Sequence, residues 1–164
     1  MKYQYRITKY NPKYRDKEQG YYLRDEWTSI CDIGKKFNNK IFTKSEYQNI
    51  ETAYIKSIII FMSENNITSL QLIEYENHQD FKTDELIIKN NTFYNKEQVE
   101  LLARFILREH IWGKLIFENQ IFVHFGYDYY MYIGLDEKFE KELKKVQKLG
   151  LFAEKFKSPY YEQE

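Results

Sequence analysis

The run from Trp112 to Gly134 constrains the fold more than any other stretch, because it is the densest apolar and aromatic part of the chain. Ile121, Val123 and Phe125 recur at every second position, and the residues between them belong to the opposite face. A period of two is what a half-buried β-strand requires. We therefore expect a hairpin at the centre of a sheet, with Gly126 in a bulge or a tight turn.

Three segments show the period of three to four residues that is typical of amphipathic helices. They run from Thr43 to about Asn65, from Lys96 to Ile111 and from Asp136 to Leu149. The first begins with Thr43 and Glu46 at the spacing of a capping box. In the second, Asn95 has the position and the residue type of an N-cap. At the start of the third, acidic side chains favour a helix N-terminus.

Strands are predicted before and between these helices. Alternating or apolar runs indicate strands over Tyr3–Thr8, Ile67–Tyr75 and Leu151–Phe156, with a short helix over Asp84–Lys89. The segment 13–42 shows no sustained period, and a loop of this length is usually functional or tied down by its own contacts. This order predicts an α+β fold: one domain over residues 1–164, with a mainly antiparallel sheet and about three helices packed on it.

Composition excludes several classes of protein. Hydrophobic residues make up 43% of the chain, which is too many for a disordered protein. The single cysteine, Cys31, excludes an internal disulfide framework, and its apolar neighbours predict a buried thiol. No apolar run approaches the roughly 20 residues of a membrane span, and the N-terminus lacks the apolar region of a secretory signal. The default expectation is a soluble, cytoplasmic protein without a membrane partner.

Charge is unevenly distributed, although 25 basic and 25 acidic residues give a formal net charge of zero. Residues 1–40 contain ten basic and five acidic side chains, whereas residues 64–100 contain three basic and eight acidic ones. Such asymmetry can steer partners of opposite charge. Equally, the two segments could face and neutralise each other in the fold.

No recognised catalytic or cofactor motif occurs in the sequence. The three histidines have no second histidine or cysteine at zinc-ligand spacing, and the six glycines form no phosphate-binding loop. We therefore predict no metal, no cofactor and no catalytic residue. One alternative polar site remains, and it combines the loop carboxylates with a histidine–aspartate pair: Asp25, Glu26, Asp32, His124 and Asp128.

Nucleic-acid binding is the less favoured use of the basic N-terminal segment. Aromatic and basic residues alternate there, which suits base stacking and phosphate contacts. The whole chain nevertheless has a pI of about 6.8, without the basic excess of most such domains.

Two stretches carry a family resemblance: YRITKYNPKYR…DEWTSICDIGK, within residues 5–35, and VHFGYDYYMYIG, residues 123–134. They resemble a group of small cytoplasmic proteins of Gram-positive bacteria, most of them without an assigned function. In size and in its acidic segment the chain is also similar to immunity proteins of bacterial toxin systems. Neither resemblance brings a catalytic motif or implies particular site residues.

The favoured expectation is a non-catalytic protein-binding module, in the style of an immunity protein that neutralises a cognate toxin. An acidic face would complement a basic toxin such as a nuclease, and aromatic side chains would supply interface anchors. The expected face comprises Glu74, Tyr75, Glu76, Asp80, Phe81, Asp84 and Glu85. The alternatives are a small-ligand protein or enzyme that uses the polar site, and a nucleic-acid-binding module. The oligomeric state stays open.

Overall fold

The computed structural model describes residues 1–78 and 80–161. Seven strands form one antiparallel sheet in the order β5-β4-β6-β7-β8-β1-β9, and two short strands form a separate hairpin. The strands are β1 (Tyr3–Thr8), β2 (Lys36–Phe37), β3 (Lys40–Ile41), β4 (Ser69–Glu76), β5 (Thr92–Asn95), β6 (Trp112–Phe117), β7 (Ile121–Phe125), β8 (Met131–Leu135) and β9 (Phe152–Lys155).

Three helices bury their apolar side chains against one face of this sheet. They are α1 (Lys44–Glu64), α2 (Lys96–Leu107) and α3 (Glu140–Lys148), and their core residues share one cluster with those of the strands. A capping box opens α1 at Thr43, as the sequence predicts, and Asn95, predicted as an N-cap, opens α2 in a capping box with Gln98. The α+β prediction of a mainly antiparallel sheet with about three helices is confirmed.

The central hairpin prediction is confirmed and extended, because β6, β7 and β8 form a three-stranded meander in the middle of the sheet. Ile121, Val123 and Phe125 lie in the main core, under the helices. Gly126 opens a five-residue turn that is closed by a 2.7 Å hydrogen bond from its N–H to the carbonyl of Tyr130. The alternation therefore predicted correctly that these three side chains share one face, and the fold shows that this face carries the helices.

The opposite face of the sheet is covered by residues 156–161, which we call the C-terminal strap. The Ser158 N–H donates to Oε1 of Gln4 at 2.8 Å, and the Ser158 hydroxyl lies 2.9 Å from Nδ1 of His124. The ring of Tyr161 stacks on Phe122 at 5.2 Å. The strap explains why the alternate residues of β7 are buried although they point away from the helices.

The predicted helix over Asp84–Lys89 is wrong, because this segment is irregular and leads into β5. The hydroxyl of Tyr94 satisfies its backbone, accepting from the Lys89 N–H at 2.7 Å and bonding the Ile87 carbonyl at 3.1 Å. These tertiary bonds replace the hydrogen bonds of a helical turn.

Two predicted helix ends are displaced. The second helix stops at Leu107, four residues before Ile111, because a left-handed residue follows it. The third starts at Glu140, not at Asp136, whose carboxylate instead accepts the N–H of Lys2 at 2.9 Å. In both places contacts beyond the local segment decided the boundary.

Candidate binding cavity

A cavity of about 460 Å³ opens at one end of the sheet, where α2 ends, β6 begins and β7 turns into β8. Its floor consists of five side chains, each no more than 7% exposed: Ile106, Leu107, Ile111, Phe125 and Tyr129. Ligand pockets usually have volumes of about 300–1,000 Å³ and mostly apolar linings. The size and lining of this cavity fit a bound side chain or small molecule.

Every buried side-chain polar atom of the floor has a partner within the protein. The hydroxyl of Tyr129 donates to that of Tyr47 at 2.7 Å, and at the wall Nε1 of Trp112 donates to the Phe125 carbonyl at 3.0 Å. Within the described residues, the one buried side-chain nitrogen or oxygen without a partner is Nε of Arg15, which does not line the cavity. The floor therefore offers a guest mainly apolar surface, and none of its buried side-chain polar atoms lacks a partner.

The rim of the cavity is acidic. Glu76, Glu109 and Asp128 line it, and the described lining contains no lysine or arginine. Glu76 pairs with Nε2 of His78 at 2.9 Å, whereas neither of the other two carboxylates makes an ion pair within the described ranges. Tyr127 projects beside them and is 87% exposed. This arrangement favours a cationic guest.

Glu109 occupies a position where helices usually have glycine or asparagine. It follows α2 with φ +62°, and its N–H and that of His110 bond the carbonyls of Ile106 and Phe105, which is the Schellman pattern. The corresponding left-handed residues after α1 and α3 are Asn66 and Gly150. A glutamate is strained there, and strained residues tend to cluster at functional sites.

The turn from Gly126 to Tyr130 forms another wall and contains two more left-handed residues, Asp128 (φ 56°) and Tyr129 (φ 62°). The backbone carbonyls of these two residues accept hydrogen bonds from tyrosine hydroxyls that lie outside the turn. Tyr10 donates to the Asp128 carbonyl at 2.7 Å, and Tyr54 donates to the Tyr129 carbonyl at 2.6 Å. The wall is thereby fixed in shape before any guest arrives.

A buried polar chain extends from the turn into the helices. The hydroxyl of Tyr47 accepts a hydrogen bond from the hydroxyl of Tyr129 and donates one to the Glu51 carboxylate at 3.1 Å. Arg108 donates two hydrogen bonds to the same carboxylate, at 2.6 and 2.9 Å. Burial raises the pKa of Tyr129 and of Tyr47, so both hydroxyls stay protonated as donors. The chain connects α1, α2 and the turn beside the cavity.

The predicted acidic face is only partly gathered at the cavity. Glu76 lines it, but the carboxylate of Glu74 pairs with Nζ of Lys114 at 2.7 Å. Phe81 stacks on His110 with ring centroids 4.5 Å apart, and both Phe81 and Tyr75 pack on the core. The remaining three, Asp80, Asp84 and Glu85, are exposed on the segment before β5 and do not line the cavity.

Asp32 and Glu26, two of the three loop carboxylates of the alternative polar site, have structural partners. Asp32 accepts the N–H groups of Thr28 and Ser29 and pairs with Lys35, and Asp25 is exposed. Within the described residues, no group of three or more His, Cys, Asp or Glu side chains is arranged to hold a metal ion. Cys31 is exposed, which corrects the prediction of a buried thiol.

Glu26 pairs with Lys9 at 3.3 Å, and the ammonium also lies over the rings of Tyr10 and Trp27 at 4.0 and 4.2 Å. Burial lowers the pKa of Lys9 to about 8, and the negative charges of Glu26, Asp32 and Asp128 oppose that effect. These carboxylates thus stabilise one buried lysine at the base of the long loop.

His124 lies on the strap side of the sheet, and its ring bonds Ser158, while the Asp128 side chain is exposed at the cavity rim. Burial, with a smaller contribution from the Lys114 charge, lowers the pKa of His124 to about 3. A neutral, enclosed imidazole bonded to a serine suits a structural role.

Sequence reasoning missed Glu109 and Tyr127 as rim residues and the tyrosines that hold the turn. Arg104 in α2 and Arg108 directly after it both form ion pairs with Glu51. Their spacing of four residues, which puts two side chains on one side of a helix, was a signal in the sequence. The left-handed backbone of Glu109 could not be predicted from the sequence, because glutamate is also compatible with an ordinary helix.

Comparison of the chain with protein-family models, with curated proteins and with solved structures found no match. No helix in the described part of the chain is long and apolar enough to cross a membrane.

Proposed function

We propose that the protein is a non-catalytic binding module that engages a basic protein partner at the acidic cavity, in the manner of an immunity protein that neutralises a toxin. The observation that carries the proposal is the rim. Two of its three carboxylates, Glu109 and Asp128, make no ion pair within the described residues. Unpaired carboxylates beside an apolar floor would be complemented by cationic groups of a partner.

The charge distribution of the whole chain supports a basic partner. Within the described residues, no ion pair joins the basic segment 1–40 to the acidic segment 64–100. Lys9 and Arg15, for example, pair with Glu26 and Glu154 instead. The basic segment therefore does not neutralise the acidic one, of which Glu76 lies at the cavity rim while Glu64 and Glu74 pair with lysines elsewhere.

The exposed aromatic at the rim supports a protein partner. Tyr127 is the most exposed of the large hydrophobic side chains, and tyrosine is among the residue types that dominate binding energy at interfaces. The turn that carries it is held rigid by Tyr10 and Tyr54, which reduces the entropy lost on binding.

The test is affinity capture from the native host with two matched charge reversals. The cavity variant replaces Glu76, Glu109 and Asp128 with lysine, and the control variant replaces Asp80, Asp84 and Glu85 in the same way. We expect a stoichiometric basic partner to bind the wild type and the control and to be lost from the cavity variant. The partner should be toxic when expressed alone and harmless together with the wild type.

Equal capture by both variants would contradict the assigned site, and the absence of a partner that requires the rim would contradict the proposal. A small cationic ligand is the second candidate, because the cavity volume of about 460 Å³ also suits small molecules. Native mass spectrometry of the purified protein would then show a bound low-molecular-weight cation that the cavity variant lacks.

A further inference from the structure

The cavity separates its apolar and charged surfaces by depth. The deepest lining residues, Ile111 and Phe125, are each 2% exposed, whereas Tyr127 at the mouth is 87% exposed. The three carboxylates also belong to exposed residues. A guest therefore meets charge first and apolar surface afterwards.

A cationic group would be disfavoured at the floor. Tyr129, the floor residue with a side-chain hydroxyl, already donates that hydroxyl to Tyr47, and its backbone carbonyl accepts from Tyr54. An ammonium or guanidinium group inserted there would lose its hydration and would meet no side-chain polar atom that lacks a partner. The part of the guest that reaches the floor must therefore be apolar.

The rim is suited to cations that stay partly in water. Glu109 and Asp128 are exposed, so a basic side chain can approach either carboxylate and keep much of its hydration. The ring of Tyr127 offers a face for a cation–π contact at the same level. One carboxylate comes from the end of α2 and the other from the turn between β7 and β8, so cations can be held by two separate walls.

We infer that the cavity floor takes one large apolar side chain of the partner, and that the rim binds basic residues that flank this side chain in the partner's sequence. The inference rests on the proposed function and specifies what the partner presents. It differs from simple charge pairing, because the apolar side chain is the anchor and the cations position it. Anchors that fill a central, desolvated pocket commonly dominate interface energetics.

The probe is a fluorescein-labelled peptide with the sequence Lys-Arg-Phe-Arg-Lys, measured by fluorescence anisotropy against the full chain. Replacing its phenylalanine with alanine should weaken binding by about tenfold or more at every salt concentration, because the anchor is lost. Replacing its four basic residues with glutamine should weaken binding at low salt and abolish the salt dependence.

The location is tested with the two charge-reversed proteins described above. The wild-type peptide should bind the Asp80, Asp84 and Glu85 variant as it binds the wild type, and should not bind the variant of Glu76, Glu109 and Asp128. Because these six side chains are exposed, both proteins should fold, which circular dichroism verifies.

Each failure has a distinct meaning. Equal affinity for the phenylalanine and alanine peptides, or the absence of peptide binding, would overturn the apolar anchor. If the host partner is still captured through the rim, the proposed function would survive that result. Conversely, anchor-dependent peptide binding without any captured host protein would support the anchor and contradict the proposed function.

Discussion

At the scale of single residues, the rim combines charge with backbone strain. Glu109 follows α2 at φ +62°, where the other two helices end in Asn66 and Gly150. A left-handed backbone costs an ordinary side chain about 1–2 kcal/mol. A glutamate at this position is consistent with a carboxylate that is needed for binding and not for stability.

Glu109→Gly should separate stability from binding. Glycine adopts the left-handed conformation without strain, so the free energy of unfolding should rise by about 1 kcal/mol in urea titrations. The same change removes a rim carboxylate, so capture of the basic partner should weaken. Asn66→Gly is the control, because Asn66 ends α1 and does not line the cavity. A Glu109→Gly protein that is less stable, or that binds as well as the wild type, would refute this assignment.

At the scale of elements, tyrosine hydroxyls bond the backbone of two irregular segments, one of which is a wall of the cavity. Tyr54 of α1 holds the turn 126–130 through the Tyr129 carbonyl, and Tyr94 of β5 holds the segment 87–89. The turn also has two backbone hydrogen bonds of its own, from the Gly126 N–H to the Tyr130 carbonyl and from the Tyr130 N–H to the Tyr127 carbonyl. Tyr54 reaches the turn from far away in sequence, whereas Tyr94 follows the segment 87–89 within seven residues.

Tyr54→Phe should loosen the turn 126–130 and leave the segment 87–89 unchanged. Loss of the Tyr54 hydroxyl leaves the Tyr129 carbonyl without that partner, which costs about 1–3 kcal/mol. Hydrogen exchange at the Gly126 and Tyr130 amides should therefore accelerate. Tyr94→Phe is the matched variant, and it should accelerate exchange at Lys89 only. Acceleration of both loops in either protein would indicate general destabilisation and contradict this division.

At the scale of the whole molecule, the strap covers the face of the sheet that the helices leave uncovered, and hydrogen bonds to Gln4 fasten it to β1. His124 is 3% exposed there, between Phe122, whose ring lies 4.1 Å away, and Ser158. The pKa of His124 is about 3 in the folded protein, whereas the ordinary pKa of histidine is 6.5. Between these two pH values, the unfolded chain therefore binds a proton at His124 that the folded chain does not. Stability contributed by this histidine is therefore lost as the pH falls from 6.5 towards 3.

His124→Gln should remove that contribution. At pH 7 the wild type should be more stable than the variant, because its ring packs on Phe122. Its advantage should shrink on acidification by up to about 1.4 kcal/mol per pH unit, measured by urea unfolding between pH 7 and 4. Carboxylates that titrate in the same range are common to both proteins and cancel in the difference. Parallel stability curves would show that His124 binds its proton over the same pH range in the folded and unfolded chains, which would contradict the lowered pKa.

The sequence by itself determined the local architecture of this protein. Alternation placed Ile121, Val123 and Phe125 on one face of the sheet, and a capping box at Thr43 and an N-cap at Asn95 marked the starts of α1 and α2, because neighbouring residues fix these features. It did not determine where α2 ends, since Glu109 is held in its left-handed conformation only within the folded chain.

Tertiary structure alone decided the candidate site. The cavity joins the end of α2, the start of β6 and the turn between β7 and β8, and its rim brings together Glu76, Glu109 and Asp128 from three parts of the chain. Such a set has no fixed spacing that a sequence pattern could reveal. The sheet order that makes β4, β6, β7 and β8 successive neighbours created it, while the strap turned His124 into an enclosed side chain on the other face.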